Sequence, residues 1–295
     1  MTSPSQGRGA AALNRWVWAA GWRFGPLVLR SRRVRDALGR LGALVATLRP
    51  NRFLEQWRDN VHLATGHRPT IGDTRAAVRS YVRTVSESFV LGSWQPAEVV
   101  SRVSTDAAGE ARLRAAMAGP GAVLALPHLG SWDHAGAWAC LTGMPVSTVA
   151  EQLGEAEFEA FKTYRERLGM RIYSHRDPAA LQGLCSDVSE GRLVCLVADR
   201  TFDGRGVPAS WRGVPVLAAA GPAYVARRTG AVLMGCSARY TPRGIQLEFS
   251  QPVRHRPGRV GLAAMTQELV DFYASEVARQ PVDWHVFQPF FPGSR

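Results

Sequence analysis

Along the first hundred residues apolar positions return at steps of three and four, and beyond them the pattern shortens into continuous apolar runs. The first regime predicts helices. After Pro26, the positions Val34, Leu38, Leu41, Val45 and Leu48 share one helix face, with Arg33, Arg35 and Arg40 between them, until Pro50 stops the pattern. Further helical patterns occupy about 53–66 and 74–92. In the second regime Gly121–Pro127 (GAVLALP), Pro145–Ala150 (PVSTVA), Met170–Tyr173 (MRIY) and Arg192–Ala198 (RLVCLVA) read as short strands. Helical stretches near 133–142, 154–168 and 177–190 separate them. Such alternation predicts an α/β fold with a mainly parallel central sheet flanked by helices, following an all-helical N-terminal region. A Gly/Pro-rich loop is expected over 200–217, then a helix near 218–229, strands near 231–240 and 244–251, and a closing helix near 260–279.

This pattern divides the chain into a small, polar, disordered start (1–12), a helical membrane-docking region (13–110) and an α/β core (111–295), joined as one integrated domain. The docking expectation rests on Trp16, Trp18, Trp22 and Phe24, interleaved with Arg15, Arg23 and Arg30, a mixture suited to a membrane interface. The helix after Pro26 has two possible partners for its apolar stripe, the protein's own core or a membrane surface.

Charge sharpens the picture. With 36 Lys+Arg against 24 Asp+Glu the net charge is +12, so an anionic partner is expected, whether nucleic acid, anionic lipid or a phosphorylated substrate. Lys162 is the single lysine, which also fits an Arg-rich composition without a selected role. Cys140, Cys185, Cys195 and Cys236 show no C-x-x-C spacing, which predicts a reducing compartment and no structural zinc. No apolar stretch is long enough to cross a membrane, and no signal-peptide layout opens the chain, so the expected place is the cytoplasm or the cytoplasmic face of a membrane.

Ligands of open α/β sheets bind beyond the carboxyl ends of the strands. Three strand-like runs hand over to ionisable residues there: GAVLALP to His128, PVSTVA to Glu151, and RLVCLVA to Asp199 and Arg200. Asp133 follows His128 by five positions, and a turn between them can fold its carboxylate back to the imidazole. That would fix the tautomer and leave the other ring nitrogen to take a proton from a hydroxyl. The plainer alternative is that His128 bonds a backbone carbonyl while Asp133 caps a helix.

Pro127–Asp133 (PHLGSWD) resembles the H-x₄-D signature of the glycerolipid and lysophospholipid acyltransferase superfamily. The likeness is closer to the branch of bacterial lipid A late acyltransferases and actinobacterial phosphatidylinositol mannoside acyltransferases. It extends in order through Ala125–Gly136, Thr148–Glu151, Phe161–Gly169, Cys195–Arg200, Ala220–Ala223 and Pro281–Pro289. The resemblance implies an acyl-CoA donor as co-substrate, with no further cofactor and no metal, and a membrane glycolipid acceptor whose hydroxyl, on a mannose, is activated by His128 and Asp133. It implies substrate-site positions at Ser131, Trp132, Glu151, Arg165, Asp199 and Arg200, the arginines suiting phosphate. Asp199 stands where that branch carries glutamate, one methylene longer, with an implied role at a mannose or inositol hydroxyl. Backbone amides near Gly130 and Ser131, or a nearby arginine, are the candidate oxyanion donors. The expected partners are thus acyl-CoA, a glycolipid and an anionic membrane surface met through the Trp/Arg-rich region, with no nucleic acid.

Other chemistries fit less well. His128, Asp133, His134 and Asp199 contain metal-ligand types, but no H-x-H or H-E-x-x-H spacing occurs. There is no G-x-S-x-G elbow and no Walker A loop. A basic, Trp-rich binding protein without catalysis has no need of a carboxylate-paired histidine at a strand end.

Overall fold

The apolar runs beyond residue 120 become strands because both of their faces are covered. The computed structural model describes residues 21–292 except 22, 153, 202, 203 and 205. Its helices are α1 (Arg32–Ala46), α2 (Arg52–Thr65), α3 (Ile71–Val90), α4 (Pro96–Ser101), α5 (Ala107–Met117), α6 (Trp132–Leu141), α7 (Glu155–Arg167), α8 (Ala180–Ser189), α9 (Gly221–Thr229) and α10 (Gly258–Arg279). Its strands are β1 (Val103–Thr105), β2 (Ala122–Leu126), β3 (Val146–Ala150), β4 (Arg171–Ser174), β5 (Leu193–Val197), β6 (Val207–Trp211), β7 (Val214–Ala218), β8 (Val232–Tyr240) and β9 (Ile245–Phe249).

The main sheet has the order β1-β9-β8-β2-β5-β3-β4. Strands β8, β2, β5, β3 and β4 run parallel, while β9 runs antiparallel to β8 and carries β1 parallel to itself at the edge. All five residues of β2 are buried, and their alternation feeds two cores. Val123 and Ala125 pack with Trp57, Leu184, Leu269 and Trp284 on one face. Ala122, Leu124 and Leu126 pack with Leu113, Trp138 and Met170 on the other. The expected parallel sheet and its flanking helices are therefore present.

Two departures are informative. The expected loop over 200–217 holds the antiparallel hairpin β6–β7. Its two-residue turn, Arg212–Gly213, has φ of 50° and 91°, the left-handed pair such a turn needs, with arginine in the place usually taken by Asn, Asp or Gly. The edge strand β1 was likewise not foreseen, since three residues leave little pattern to read.

Helix α1 is turned outward. It meets α3 through Arg35, Gly39 and Ala43, its buried positions, whereas Leu41, Val45 and Leu48 are 59%, 58% and 68% exposed. The apolar stripe therefore does not pack on the protein's own core. The expectations for residues 1–12 and for Arg15, Trp16, Trp18 and Trp22 lie outside the described residues. Among the described residues no helix is long and apolar enough to cross a membrane.

This orientation predicts that Leu41→Gln and Val45→Gln each change stability in urea unfolding by less than about 0.5 kcal/mol, as surface substitutions do. Ala43→Gln, placed against α3 at 1% exposure, is expected to cost more than about 2 kcal/mol by overpacking and burying an amide.

Candidate active site

At the end of β2 the chain turns sharply, with Leu129 N donating to Pro127 O at 2.7 Å, and sets His128 on the carboxyl edge of the sheet. Gly130 has φ of 65°, and a Cβ there would lie 1.8 Å from Ala238 O, so the turn admits only glycine. Gly130 N donates to Asp283 O at 2.8 Å, and Ser131 N to Ala238 O at 3.1 Å. Both amides expected to serve an oxyanion are thus occupied. The first-turn amides of α6, from Trp132 and Asp133, have no backbone acceptor among the described residues.

Strand β5 lies beside β2 in parallel register, so the residue that leaves β5 meets the residue that leaves β2. Asp199, 1% exposed, accepts from His128 Nδ1 at 2.5 Å on Oδ1. Its Oδ2 accepts from the His128 backbone N at 3.0 Å and from Trp284 Nε1 at 2.9 Å. Burial alone would push this carboxyl up. The His128 imidazole and its hydrogen bond, the Trp284 indole and the His128 amide together hold it below its ordinary value. An ionised carboxylate facing Nδ1 places the ring proton there and leaves Nε2 able to accept one.

The expected pairing of His128 with Asp133 is therefore corrected, because the imidazole's carboxylate is that of Asp199. Asp133, in the first turn of α6, faces α7 and α3 instead. It accepts from Arg165 Nε at 2.7 Å and Nη2 at 3.5 Å, and from Ser88 Oγ at 3.5 Å. Burial lowers the Arg165 guanidinium, but Asp133 outweighs that and raises it. Arg165 thus spends its charge inside the protein rather than on a phosphate.

The remaining predicted positions separate by role. Ser131 caps α6, its Oγ accepting from His134 N at 3.4 Å. Trp132, half-buried, sets its ring edge-on at 5.7 Å from the His128 imidazole. Glu151 and Arg200 pair with each other at 2.6 Å beyond β3 and β5. His134 turns away to place Nε2 2.9 Å from Val99 O, so the four metal-ligand types near this edge do not converge.

The segment 281–288 supplies what spacing did not indicate. Besides the indole of Trp284, His285 N donates to His128 O at 2.8 Å. Ser80 Oγ donates to Asp283 Oδ1 at 2.6 Å and lies 2.9 Å from His285 Nε2, and Tyr240 N donates to Asp283 Oδ2 at 2.8 Å. Trp57 Nε1 donates to Trp284 O at 2.9 Å, and the Trp211 ring stacks on Trp284 at 5.5 Å. The Asp-Trp-His run was visible in sequence, but Trp284 and Asp199 are 85 residues apart and no periodicity joins them.

Burial drives the His285 imidazole down to about 3, with the His128 charge adding to the effect, and burial also lowers His134. His285 stays neutral in the fold while the unfolded chain protonates near pH 6.5, and His134 is shifted in the same direction. Stability is then complete above that pH and falls on acidification. In the opposite sense, the Asp283 carboxyl, raised by burial, recovers some stability only as it protonates at lower pH. Urea unfolding between pH 7 and pH 5 is expected to show a loss approaching about 1.4 kcal/mol per pH unit below pH 6.5 from His285, with His134 adding in the same direction. Constant stability over that range would show that they are charged in the fold.

Residues 10–292 match the bacterial lipid A biosynthesis acyltransferase family. A phosphatidylinositol mannoside acyltransferase of Mycobacterium tuberculosis (strain CDC 1551 / Oshkosh) is 34% identical over 281 residues, covering 93% of this chain and 87% of that protein. A phosphatidylinositol mannoside acyltransferase of Mycolicibacterium smegmatis is 34% identical over 281 residues, covering 92% and 89%. With a family match over nearly its whole length, the chain belongs to the bacterial lipid A biosynthesis acyltransferase family.

Proposed function

We propose that the protein transfers a fatty acyl group from acyl-CoA to a mannose hydroxyl of a phosphatidylinositol mannoside, with His128 as general base and Asp199 orienting it. The observation that carries this reading is the His128 imidazole, bound at Nδ1 by a buried carboxylate and, among the described residues, with no hydrogen bond at Nε2. Nε2 takes the proton of the acceptor hydroxyl as its oxygen attacks the thioester carbonyl. The tetrahedral intermediate then expels the thiolate, which recovers that proton from the imidazolium and leaves as free CoA. The α6 amides of Trp132 and Asp133 suit the oxyanion. Direct transfer is also favoured by the state of the thiols, since burial raises Cys140, Cys185, Cys195 and Cys236 above the ordinary thiol value and makes them poor thiolates.

In this mechanism Asp133 and Arg165 position α6 against α7, while Ser131, Trp132 and the Glu151–Arg200 pair border the cleft. The acceptor is reached from a membrane. Leu41 and Val45 on α1, and Leu48 just beyond its end, stand exposed among Arg33, Arg40 and Arg49, an outer face that fits the interface of an anionic bilayer. The protein is placed by this reading on the cytoplasmic face, peripherally.

Release of CoA thiol from palmitoyl-CoA tests the assignment. His128→Ala is expected to abolish acceptor-dependent release, and Asp199→Asn to cut it by about 10²–10⁴-fold, the range of general-base contributions. Asp133→Asn is expected to act mainly on stability, by leaving Arg165 buried without its partner. A greater rate loss in Asp133→Asn than in Asp199→Asn would reverse the assignment. Release with a lysophospholipid and none with the mannoside would keep the chemistry and replace the acceptor.

For the membrane, the variant carrying both Leu41→Glu and Val45→Glu is expected to lose co-sedimentation with phosphatidylglycerol-containing vesicles. It should keep turnover of detergent-dispersed acceptor.

A further inference from the structure

A second polar cleft, open to solvent and with an enclosed volume of only about 30 Å³, lies outside the His128 site. It is lined by Arg32, Arg35 and Asp36 of α1, Arg83 and Glu87 of α3, Arg102 after α4, and the turn residues Pro242 and Arg243 between β8 and β9. Because β8 runs parallel to β2, that turn leaves the sheet at the same carboxyl edge as His128. The two places are linked by few contacts. The Arg83 guanidinium lies 3.9 Å from the centre of the Tyr240 ring, Tyr240 Oη is 2.9 Å from Thr84 Oγ1, and Thr84 Oγ1 is 3.4 Å from Nδ1 of His285.

The charges of this cleft do not balance internally. Even with Glu98, which pairs with Arg102 at 2.6 Å, five guanidinium groups face three carboxylates. Arg83 is committed to Glu87 Oε1 at 2.7 Å and to the carbonyls of Thr241 and Gly244 at 2.9 and 3.0 Å. Arg35, 5% exposed, gives Nη1 to the carbonyls of Leu29 and Arg30 at 2.5 and 3.0 Å. Arg32 reaches Asp36 only at 3.6 Å, and Arg243 makes no hydrogen bond or ion pair among the described residues. Burial lowers the Arg35 guanidinium, and the repulsion of Arg102 and Arg83 adds to this against the opposing pull of Glu87. Each guanidinium has five N–H donors, so the cleft presents many unused donors to an anion.

One carboxylate breaks the pattern. Glu87 is 4% exposed, and its Oε2 is buried with no hydrogen-bond partner. A buried acceptor left open in a cationic cleft costs free energy unless a donor reaches it, and a phosphate offers none when ionised. A ligand that carries both a phosphate and hydroxyl groups answers both demands.

We propose that the cleft binds a phosphorylated polyol, its phosphate held by Arg32, Arg35, Arg102 and Arg243 and one of its hydroxyls donating to Glu87 Oε2. This rests on the acceptor reading above, and names where the phosphate-bearing part of that lipid would sit. The outward apolar face of α1, on the helix that supplies Arg32 and Arg35, favours a lipid headgroup over a free sugar phosphate as the source.

Calorimetric titration without any acyl donor tests the site independently of turnover. The probes are dihexanoyl phosphatidylinositol below its micelle concentration, dihexanoyl phosphatidylethanol, myo-inositol 1-phosphate and CoA. The variant carries both Arg32→Ala and Arg243→Ala, two exposed positions, and its melting temperature checks the fold. Wild type is expected to bind the phosphatidylinositol at least about tenfold more tightly than the phosphatidylethanol, which lacks the polyol. The variant is expected to lose at least about tenfold in that affinity at low salt, less at high salt, with CoA binding unchanged. A parallel loss for myo-inositol 1-phosphate supports the same site and places recognition in the headgroup alone. Equal affinity for the two lipids, an unchanged affinity in the variant, or a loss confined to CoA overturns the proposal. Because no thioester is present, these outcomes hold whether or not the acyl-transfer assignment survives.

Discussion

A carboxylate removed from water has to be met by donors, and Asp199 is met by three: the His128 ring, the His128 amide and the Trp284 indole. Much of the molecule is arranged to bring those donors together. Parallel pairing of β2 with β5 sets the two strand ends side by side, the left-handed Gly130 lets the chain turn under Ala238, and the 281–288 segment closes over both. Trp284 is in turn held by Trp57 from α2 and Trp211 from the β6–β7 hairpin. The helical region that precedes the sheet is therefore part of the support for the imidazole as well as a candidate membrane face.

The two acids that follow β2 and β5 divide the work by neighbourhood. Asp199 stands at the end of a strand adjacent to His128, where one methylene less than glutamate still brings Oδ1 to 2.5 Å from Nδ1. Asp133 sits one helical turn further on and is neutralised by Arg165, joining α6 to α7. The H-x₄-D motif on this reading combines a reacting histidine with an acid that fixes the helix behind it.

The parallel sheet was legible because its strands are apolar on both faces, and His128 was legible because it ends an uninterrupted apolar run. The partner of His128 was not, since closeness in sequence favours Asp133 while the strand order, invisible in a single chain, favours Asp199. The β6–β7 hairpin escaped because an Arg-Gly turn and the prolines Pro208 and Pro215 read as loop. The stripe of α1 showed its period and not its direction: only the small face of Gly39 and Ala43, seated on α3, reveals which side is left outside.

The donors of Asp199 also arrive in a fixed order during synthesis. The carboxylate is translated 71 residues after the histidine, and the indole 85 residues after that. Domains acquire structure as they emerge from the ribosome, yet until Trp284 is made the carboxylate lacks one donor and the turn at Gly130 lacks the carbonyl of Asp283. A nascent chain thus carries its histidine before the last of the contacts that seat the imidazole and its carboxylate in the fold.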